Sequence, residues 1–255
     1  MKTPSSSVFI TGAASGIGRA TAVAFTQAGW RVGLADLDLA PLAALAAELG
    51  PQTSAYRVDV TEPAQVQTAL AAFCPAGTLD VLVNNAGLLS VGRFESIALA
   101  RHKQLVDVNV TGVINCAHAA HAYLKAARGL LINLSSASAI FGTPDFASYS
   151  ATKFAVRGLT EALAAEWGRD GIAVCDIMPP FVRTAMIDGQ TSESRFFSRL
   201  GVNLTPDQVA HEIVGLARRR SLHNPVSLPI RLMYGLAKLT PDGMTARVMR
   251  LLSGH

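Results

Sequence analysis

Six short apolar runs alternate with longer Ala- and Leu-rich segments from the start of the chain to about position 220. The runs at 8–11, 31–36, 54–59, 79–84, 130–135 and 172–178 are too short for helices. They are also largely apolar, the pattern of strands covered on both faces. The segments at 17–28, 39–49, 63–73, 109–127 and 149–168 are longer and amphipathic, as helices are. Such alternation implies right-handed crossovers that return each strand parallel to the one before it. The expected fold is therefore α/β, a single doubly wound (Rossmann-type) parallel sheet with helices on both faces. No repeat, low-complexity tract or linker divides the 255 residues, which read as a single domain.

Composition narrows the function classes. Half of the residues are hydrophobic and only 16% are charged, enough for a large core and contrary to disorder. The net charge of +4 comes from scattered Lys and Arg. Only Arg218, Arg219 and Arg220 are consecutive, at the end of an expected helix where cations suit the dipole, so nucleic-acid binding is not expected. Cys74, Cys116 and Cys175 lie far apart among apolar neighbours, which reads as buried free thiols in a reducing compartment. Neither a secretory leader nor an apolar stretch of membrane-spanning length is visible, and the expected location is cytoplasmic. His118 and His121 stand three apart, but without ligand spacing or an accompanying carboxylate or cysteine partner no metal is expected.

Two regions break the rhythm. Residues 185–204 read either as an active-site flap or as a surface helix with packing contacts. The tail at 228–252 is rich in Leu and Met, with Arg231, Lys238, Arg247 and Arg250 interspersed, and Thr240-Pro241-Asp242 reads as a helix start within it. Packing over the active-site mouth or at a subunit interface is expected of this tail, in preference to lying on a membrane surface.

After the first strand comes Thr11-Gly12-Ala13-Ala14-Ser15-Gly16-Ile17-Gly18, opening the first helix. Glycines there let the backbone turn tightly and approach a pyrophosphate, whose charge meets the helix N-terminal amides. A glycine pattern alone is weak evidence. Here the strand–turn–helix context is right, and Asp36 closes the second strand eighteen residues after Gly18, where a carboxylate can accept both hydroxyls of an adenosine ribose.

The spacing Gly-x3-Gly-x-Gly resembles the short-chain dehydrogenase/reductase family. So do Asp59-Val60 after the third strand, Asn84-Asn85-Ala86-Gly87 after the fourth, and Asn109 within Val108-Asn109-Val110-Thr111-Gly112. Ser136 follows the fifth strand, thirteen residues before the YxxxK motif Tyr149-Ser150-Ala151-Thr152-Lys153. The resemblance covers roughly residues 7 to 190. It implies a nicotinamide dinucleotide held by Gly12, Ser15, Gly16, Ile17 and Gly18, with Asp36 on the ribose and Asp59 and Val60 on the adenine. It further implies that Asn85, Ala86 and Gly87 border the cofactor, that Tyr149 and Lys153 meet the nicotinamide ribose, and that Val182 and Thr184 meet the carboxamide. The implied catalytic set is Asn109, Ser136, Tyr149 and Lys153, with Asn109 holding a water that links Lys153 to solvent. Two departures stand out. Pro179-Pro180 replaces the family's Pro-Gly, and the Gly-rich ending is missing, which leaves pairing through 109–127 and 149–168 as the expected route to a homo-oligomer, dimer or tetramer.

The chemistry follows from the residue types. Tyr149 and Lys153, four apart on a helix, share one face. A phenol titrates near about 10, and a neighbouring ammonium and a cationic nicotinamide would favour the phenolate. Tyr149 would then take the hydroxyl proton of an alcohol, or protonate a carbonyl oxygen in reverse, while Ser136 donates a hydrogen bond to that oxygen. Ser136 fits the family's serine-to-tyrosine interval better than Ser135. Asp36 would repel the extra phosphate of NADP, and Ser15 and Leu37 supply no balancing charge, so NAD is the expected cofactor. Arg19 lies inside the helix and is expected to face solvent. Leu88, Leu89, Ile140, Phe141, Phe146, Phe181 and Met186 flank the motifs and suit a lipophilic secondary alcohol or its ketone, or an alcohol/aldehyde pair. An NADP(H)-dependent carbonyl reductase is the alternative. A dinucleotide-sensing regulator is a further one, though sensing needs no acid/base group.

Overall fold

The computed structural model describes residues 6–180, 182, 204–237, 239–240 and 243. Strands β1 (Ser7–Thr11), β2 (Arg31–Asp36), β3 (Thr53–Arg57), β4 (Val81–Asn84), β5 (Leu130–Leu134), β6 (Ala173–Met178) and β7 (His223–Pro225) form one sheet in the order β3-β2-β1-β4-β5-β6-β7. Every pairing is parallel. Alternate residues of each strand feed opposite cores, as the two-residue strand period requires. In β1, Val8 and Ile10 join one cluster with Phe25, Leu42 and Ile213, while Phe9 joins another with Leu70, Phe73 and Leu124.

The helices that supply these partners are α1 (Gly16–Gln27), α2 (Leu39–Leu49), α3 (Pro63–Phe73), α4 (Leu99–Val106), α5 (Gly112–Ala127), α6 (Ala147–Trp167), α7 (Pro206–Arg219) and α8 (Leu228–Ala237). The first cluster draws on α1, α2 and α7, and the second on α3, α5 and α6. This is the doubly wound arrangement expected from the sequence. None of the described helices is long and apolar enough to cross a membrane.

Several elements differ from expectation. The helix expected at 109 begins ten residues earlier: α4 runs through a π-turn, Asp107–Thr111, into α5. β3 is half-exposed rather than buried on both faces, because the sheet ends there. α7 and β7 continue the sheet beyond the sixth strand. Helix α7 begins with a capping box, in which Thr205 and Gln208 satisfy each other's backbone amides. His121 does have a carboxylate partner: Asp170 lies 3.0 Å away and also pairs with Lys125 at 2.7 Å. The three cysteines are buried and free, as expected, and burial pushes the Cys116 and Cys175 thiols up to about 12, which leaves them inert.

In a sheet of this order the chain leaves β1 toward one edge and resumes at β4 toward the other. Ligands of such sheets sit at the carboxyl ends of the strands on either side of that switch point.

Candidate active site

The switch point is closed by a clamp between two turns. Gly12 (φ +65°) and Gly16 (φ +52°) adopt left-handed conformations that a side chain would strain. A Cβ on Gly18 would stand 2.0 Å from the Gly12 carbonyl oxygen, so only glycine lets α1 start this close to β1. Thr11 Oγ1 accepts the amides of Asn85 and Ala86, both at 3.1 Å. In return, Asn85 Nδ2 donates to the carbonyls of Thr11 (2.9 Å) and Gly12 (2.8 Å). Both side-chain donors of Asn85 are thereby committed to bracing the glycine loop.

From this clamp a cavity of about 630 Å³ extends in both directions. At one end, Asp36 Oδ2 accepts the Ala14 amide at 3.0 Å and Oδ1 accepts the Leu37 amide at 2.8 Å, which fixes the carboxylate against the glycine turn. Asp59 Oδ1 accepts the amide and hydroxyl of Thr61, while the Val60 carbonyl accepts Asn115 Nδ2 at 2.9 Å. Among the described lining residues, Asp36, Asp59, Glu62 and Asp107 are acidic, and Lys153 is the sole cation. Arg19 turns away, paired with Glu48 at 2.7 Å.

At the other end, the start of α6 presents Tyr149 and Lys153 on one face. Lys153 Nζ donates to the Leu134 carbonyl at 2.6 Å and lies 5.5 Å from the centre of the Tyr149 ring. Burial pulls the Lys153 ammonium down to about 8 and pushes the Tyr149 phenol up to about 12, with a hydrogen bond from Ser136 acting against the latter. Sequence reasoning expected the lysine to lower the phenol. Burial outweighs that effect here, because Nζ is engaged with a carbonyl and the Tyr149 ring is partly buried against Phe146 and Leu89. Ser136, not Ser135, reaches Tyr149: the Ser135 hydroxyl turns into the core toward the Lys153 carbonyl, at 3.4 Å.

Asn109 sits in the π-turn, a feature frequent at functional sites. Its Nδ2 donates to the Leu88 carbonyl (2.9 Å) and to Thr152 Oγ1 (3.1 Å), and its Oδ1 accepts the Leu88 amide at 2.7 Å. With both amide hydrogens committed, the side chain stitches the turn after β4 to α6.

The apolar candidates divide. Leu88 and Leu89 line the cavity. Leu89, Val91 and Phe146 form a small cluster against Tyr149. Ile140 and Phe141 instead pack with Met178 and Ile230 under α8. Val182 lines the cavity and bridges to Leu204. Pro179 accepts the Ala137 amide at 3.0 Å, which ties the Pro-Pro segment to the turn after Ser136. Thr184, Phe181, Met186 and the segment at 185–203 lie outside the described residues, as do Pro241 and Asp242 of the expected helix start. Glu62, Gln104 and Asp107 line the cavity without a motif to announce them, since each reaches it from an otherwise ordinary helix or turn.

The geometry agrees with comparisons to known proteins. The 3-alpha-(or 20-beta)-hydroxysteroid dehydrogenase of Mycobacterium tuberculosis is 40% identical over 220 residues, 84% of this chain and 83% of that protein. The D-threitol dehydrogenase of Mycolicibacterium smegmatis is 34% identical over 218 residues, 82% of this chain and 84% of that protein. Among solved structures, the 3-ketoacyl-(acyl-carrier-protein) reductase of Brucella melitensis complexed with NADH superposes with a TM-score of 0.80 at 29% identity, over 87% of this chain and 96% of that one. The alcohol dehydrogenase of Thermococcus sibiricus, complexed with 5-hydroxy-NADP, gives a TM-score of 0.78 at 25% identity, over 87% of this chain and 95% of that one. The family model for short chain dehydrogenases matches residues 6–195, a span that holds the glycine turn, Asp36, Ser136, Tyr149 and Lys153. This chain is an oxidoreductase of the short chain dehydrogenase family.

Proposed function

We propose that the protein interconverts a lipophilic secondary alcohol and its ketone, with NAD(H) as the hydride carrier and Tyr149 as the acid/base. The observation that carries the reading is the joining of Tyr149, Ser136 and Lys153 to a carboxylate-lined nucleotide end within one cavity. The cradle fits a dinucleotide: glycines stand where a Cβ would collide with backbone, at the N-terminus of α1. Gly12, Ser15, Gly16, Ile17 and Gly18 would hold the pyrophosphate, Asp36 the adenosine ribose, and Asp59 and Val60 the adenine. Ala86, Gly87, Tyr149, Lys153, Val182 and Thr184 would hold the nicotinamide half, with Asn85 and Asn109 bracing from behind.

When bound, the nicotinamide supplies or accepts the hydride. The chain's own part is proton transfer. In reduction, Tyr149 gives its proton to the carbonyl oxygen while the Ser136 hydroxyl donates to the same oxygen as charge builds. In oxidation the phenolate takes the alcohol proton, and Lys153, still mostly protonated at neutral pH with a value of about 8, stabilises that anion.

NAD over NADP is supported by charge. An added phosphate at the adenosine end would face Asp36, with no described cation there to offset it. Lipophilicity is supported by Leu88, Leu89 and the Phe146 cluster beside Tyr149. A homo-oligomer is part of the same reading, supported by exposed Val106, Ile114 and Phe154 on α4, α5 and α6. Buried unpaired thiols suit a cytoplasmic setting. A panel of aliphatic, aromatic and steroidal alcohols and ketones, each run with both coenzymes, tests the reading. Turnover confined to sugars or short acids, or equal use of NADPH at matched subsaturating concentration, contradicts it.

A further inference from the structure

Asp176 is fully buried in β6, outside the described lining of the cavity. Burial pushes its carboxyl up from the ordinary carboxylate range, and the His223 ring beside it acts against that. A buried carboxylate is a poor source of stability, and its best-attested use is to fix an arrangement. A run of paired side chains leads away from it. Asp176 Oδ2 meets His223 Nδ1 at 3.0 Å, and His223 Nε2 meets Glu161 Oε1 at 3.1 Å. The same Glu161 oxygen accepts Arg157 Nε at 3.1 Å. Carboxylate, imidazole, carboxylate and guanidinium thus alternate from the core of β6 to the flank of α6.

The run ends on the turn that carries Ser136. Arg157 Nη1 donates to the Ala139 carbonyl at 3.2 Å, and its guanidinium carbon lies 5.3 Å from the centre of the Tyr234 ring in α8. Ala139 is buried and closes the short 3₁₀ turn Ala137–Ala139. A guanidinium is a rigid planar fork, so Glu161, Ala139 and Tyr234 together fix it as they could not fix an ammonium. Within the turn, the Ala139 amide donates to the Ser136 carbonyl at 2.9 Å, and the Ser138 amide donates to Ser136 Oγ at 3.1 Å. With a main-chain donor on Oγ, the hydroxyl hydrogen is left for Tyr149, with which Ser136 shares a hydrogen bond. Tyr149, Lys153, Arg157 and Glu161 follow one another at steps of four along α6, so the reacting pair runs on directly into the holding pair.

A donor to a developing charge is useful only where it is held, and a misplacement of about 1 Å can cost on the order of a hundredfold in rate. We propose that Arg157, aligned by Asp176, His223 and Glu161, is a positioning residue that holds Ser136 toward Tyr149 through the Ala139 carbonyl. The proposal rests on the reaction reading, since that reading puts Ser136 on the reacting oxygen.

The test compares wild type with Arg157→Met, which keeps much of the side chain's length without its donors. In hydrogen exchange, the amides of 137–140 should exchange at least about tenfold faster in the variant, while those of the glycine turn stay as they were. In single-turnover reduction of the fastest ketone of the panel, Arg157→Met should be at least about tenfold slower, with NADH affinity changed less than about twofold. In a Ser136→Ala background the same change should cost less than about threefold, because the hydroxyl it positions is gone. Glu161→Ala, at an exposed site, should lose about threefold, and nothing more once Arg157 is replaced. Should Arg157→Met not fold, Arg157→Lys, which keeps the charge but cannot serve Glu161 and Ala139 together, takes its place in the same comparison. Unchanged exchange at 137–140 overturns the proposal. So does a loss of equal size in both Ser136 backgrounds, the mark of a merely structural role, and so does unaltered turnover in Glu161→Ala. Absence of turnover across the whole panel contradicts the reaction reading alone, and the exchange measurement still decides for or against Arg157.

Discussion

The cavity has two ends made of different materials. Around the glycine turn, contacts come from main-chain groups and short side chains: Thr11, Asn85 and the Asp36 carboxylate each bond backbone within 3.1 Å. At the other end Lys153 is buried and Tyr149 partly so, and burial drives their proton affinities toward the neutral forms. The first end is fixed by covalent geometry and reads clearly from sequence. The second depends on how much water the fold excludes, which no motif records. In this account the first end binds and the second reacts, so changes at each should separate affinity from turnover.

The largest separation is expected for Tyr149→Phe. Turnover should fall by roughly two to four orders of magnitude, while NADH affinity by fluorescence titration changes less than about threefold. Retention of more than a tenth of turnover in a chemistry-limited assay removes Tyr149 from its role. Gly18→Ala addresses the other end. Its new methyl would meet the Gly12 carbonyl at 2.0 Å, and NADH should bind at least about a hundredfold more weakly, or about 2.7 kcal/mol. Unaltered NADH binding would mean the turn is not the cradle.

Thr11→Val tests the clamp between the two turns. It strips the acceptor from two amides, which should cost about 2 kcal/mol and lower the melting temperature by roughly 5 °C. An unshifted melt would show that other groups satisfy those amides. The smallest effect expected is coenzyme choice. Wild type should favour NADH over NADPH by at least about tenfold in kcat/KM, or about 1.4 kcal/mol, and Asp36→Ala with Leu37→Arg should narrow or reverse that preference. A preference unmoved by the double change would show that another group sets it.

The core strands were legible because each is a short apolar run, and the reactive residues because their spacing is tight. What stayed hidden has physical reasons. β7, His223–Pro225, has three half-buried polar or proline residues and no apolar run. It is held by partners distant in sequence: His223 reaches Asp176 in β6 at 3.0 Å, 47 residues away. α4 was missed because Arg101, His102 and Lys103 mask its periodicity. Helix α7 did carry a signal in Thr205, Pro206 and Gln208, which the capping box explains. The brace roles of Asn85 and Asn109 needed coordinates, since an asparagine that holds a loop and one that holds a ligand look the same in a motif.

The central claim is that Tyr149 carries the proton. Its most direct test is the pH dependence of single-turnover alcohol oxidation at saturating NAD⁺, in wild type and in Tyr149→Phe. Oxidation needs the phenolate, so the wild-type rate should climb with pH through the Tyr149 ionisation, which a cationic nicotinamide would bring below the value of about 12 set by burial against the Ser136 hydrogen bond. The Phe enzyme's residual rate should lack that rise. The same rise, with the same midpoint, in both enzymes would contradict the account.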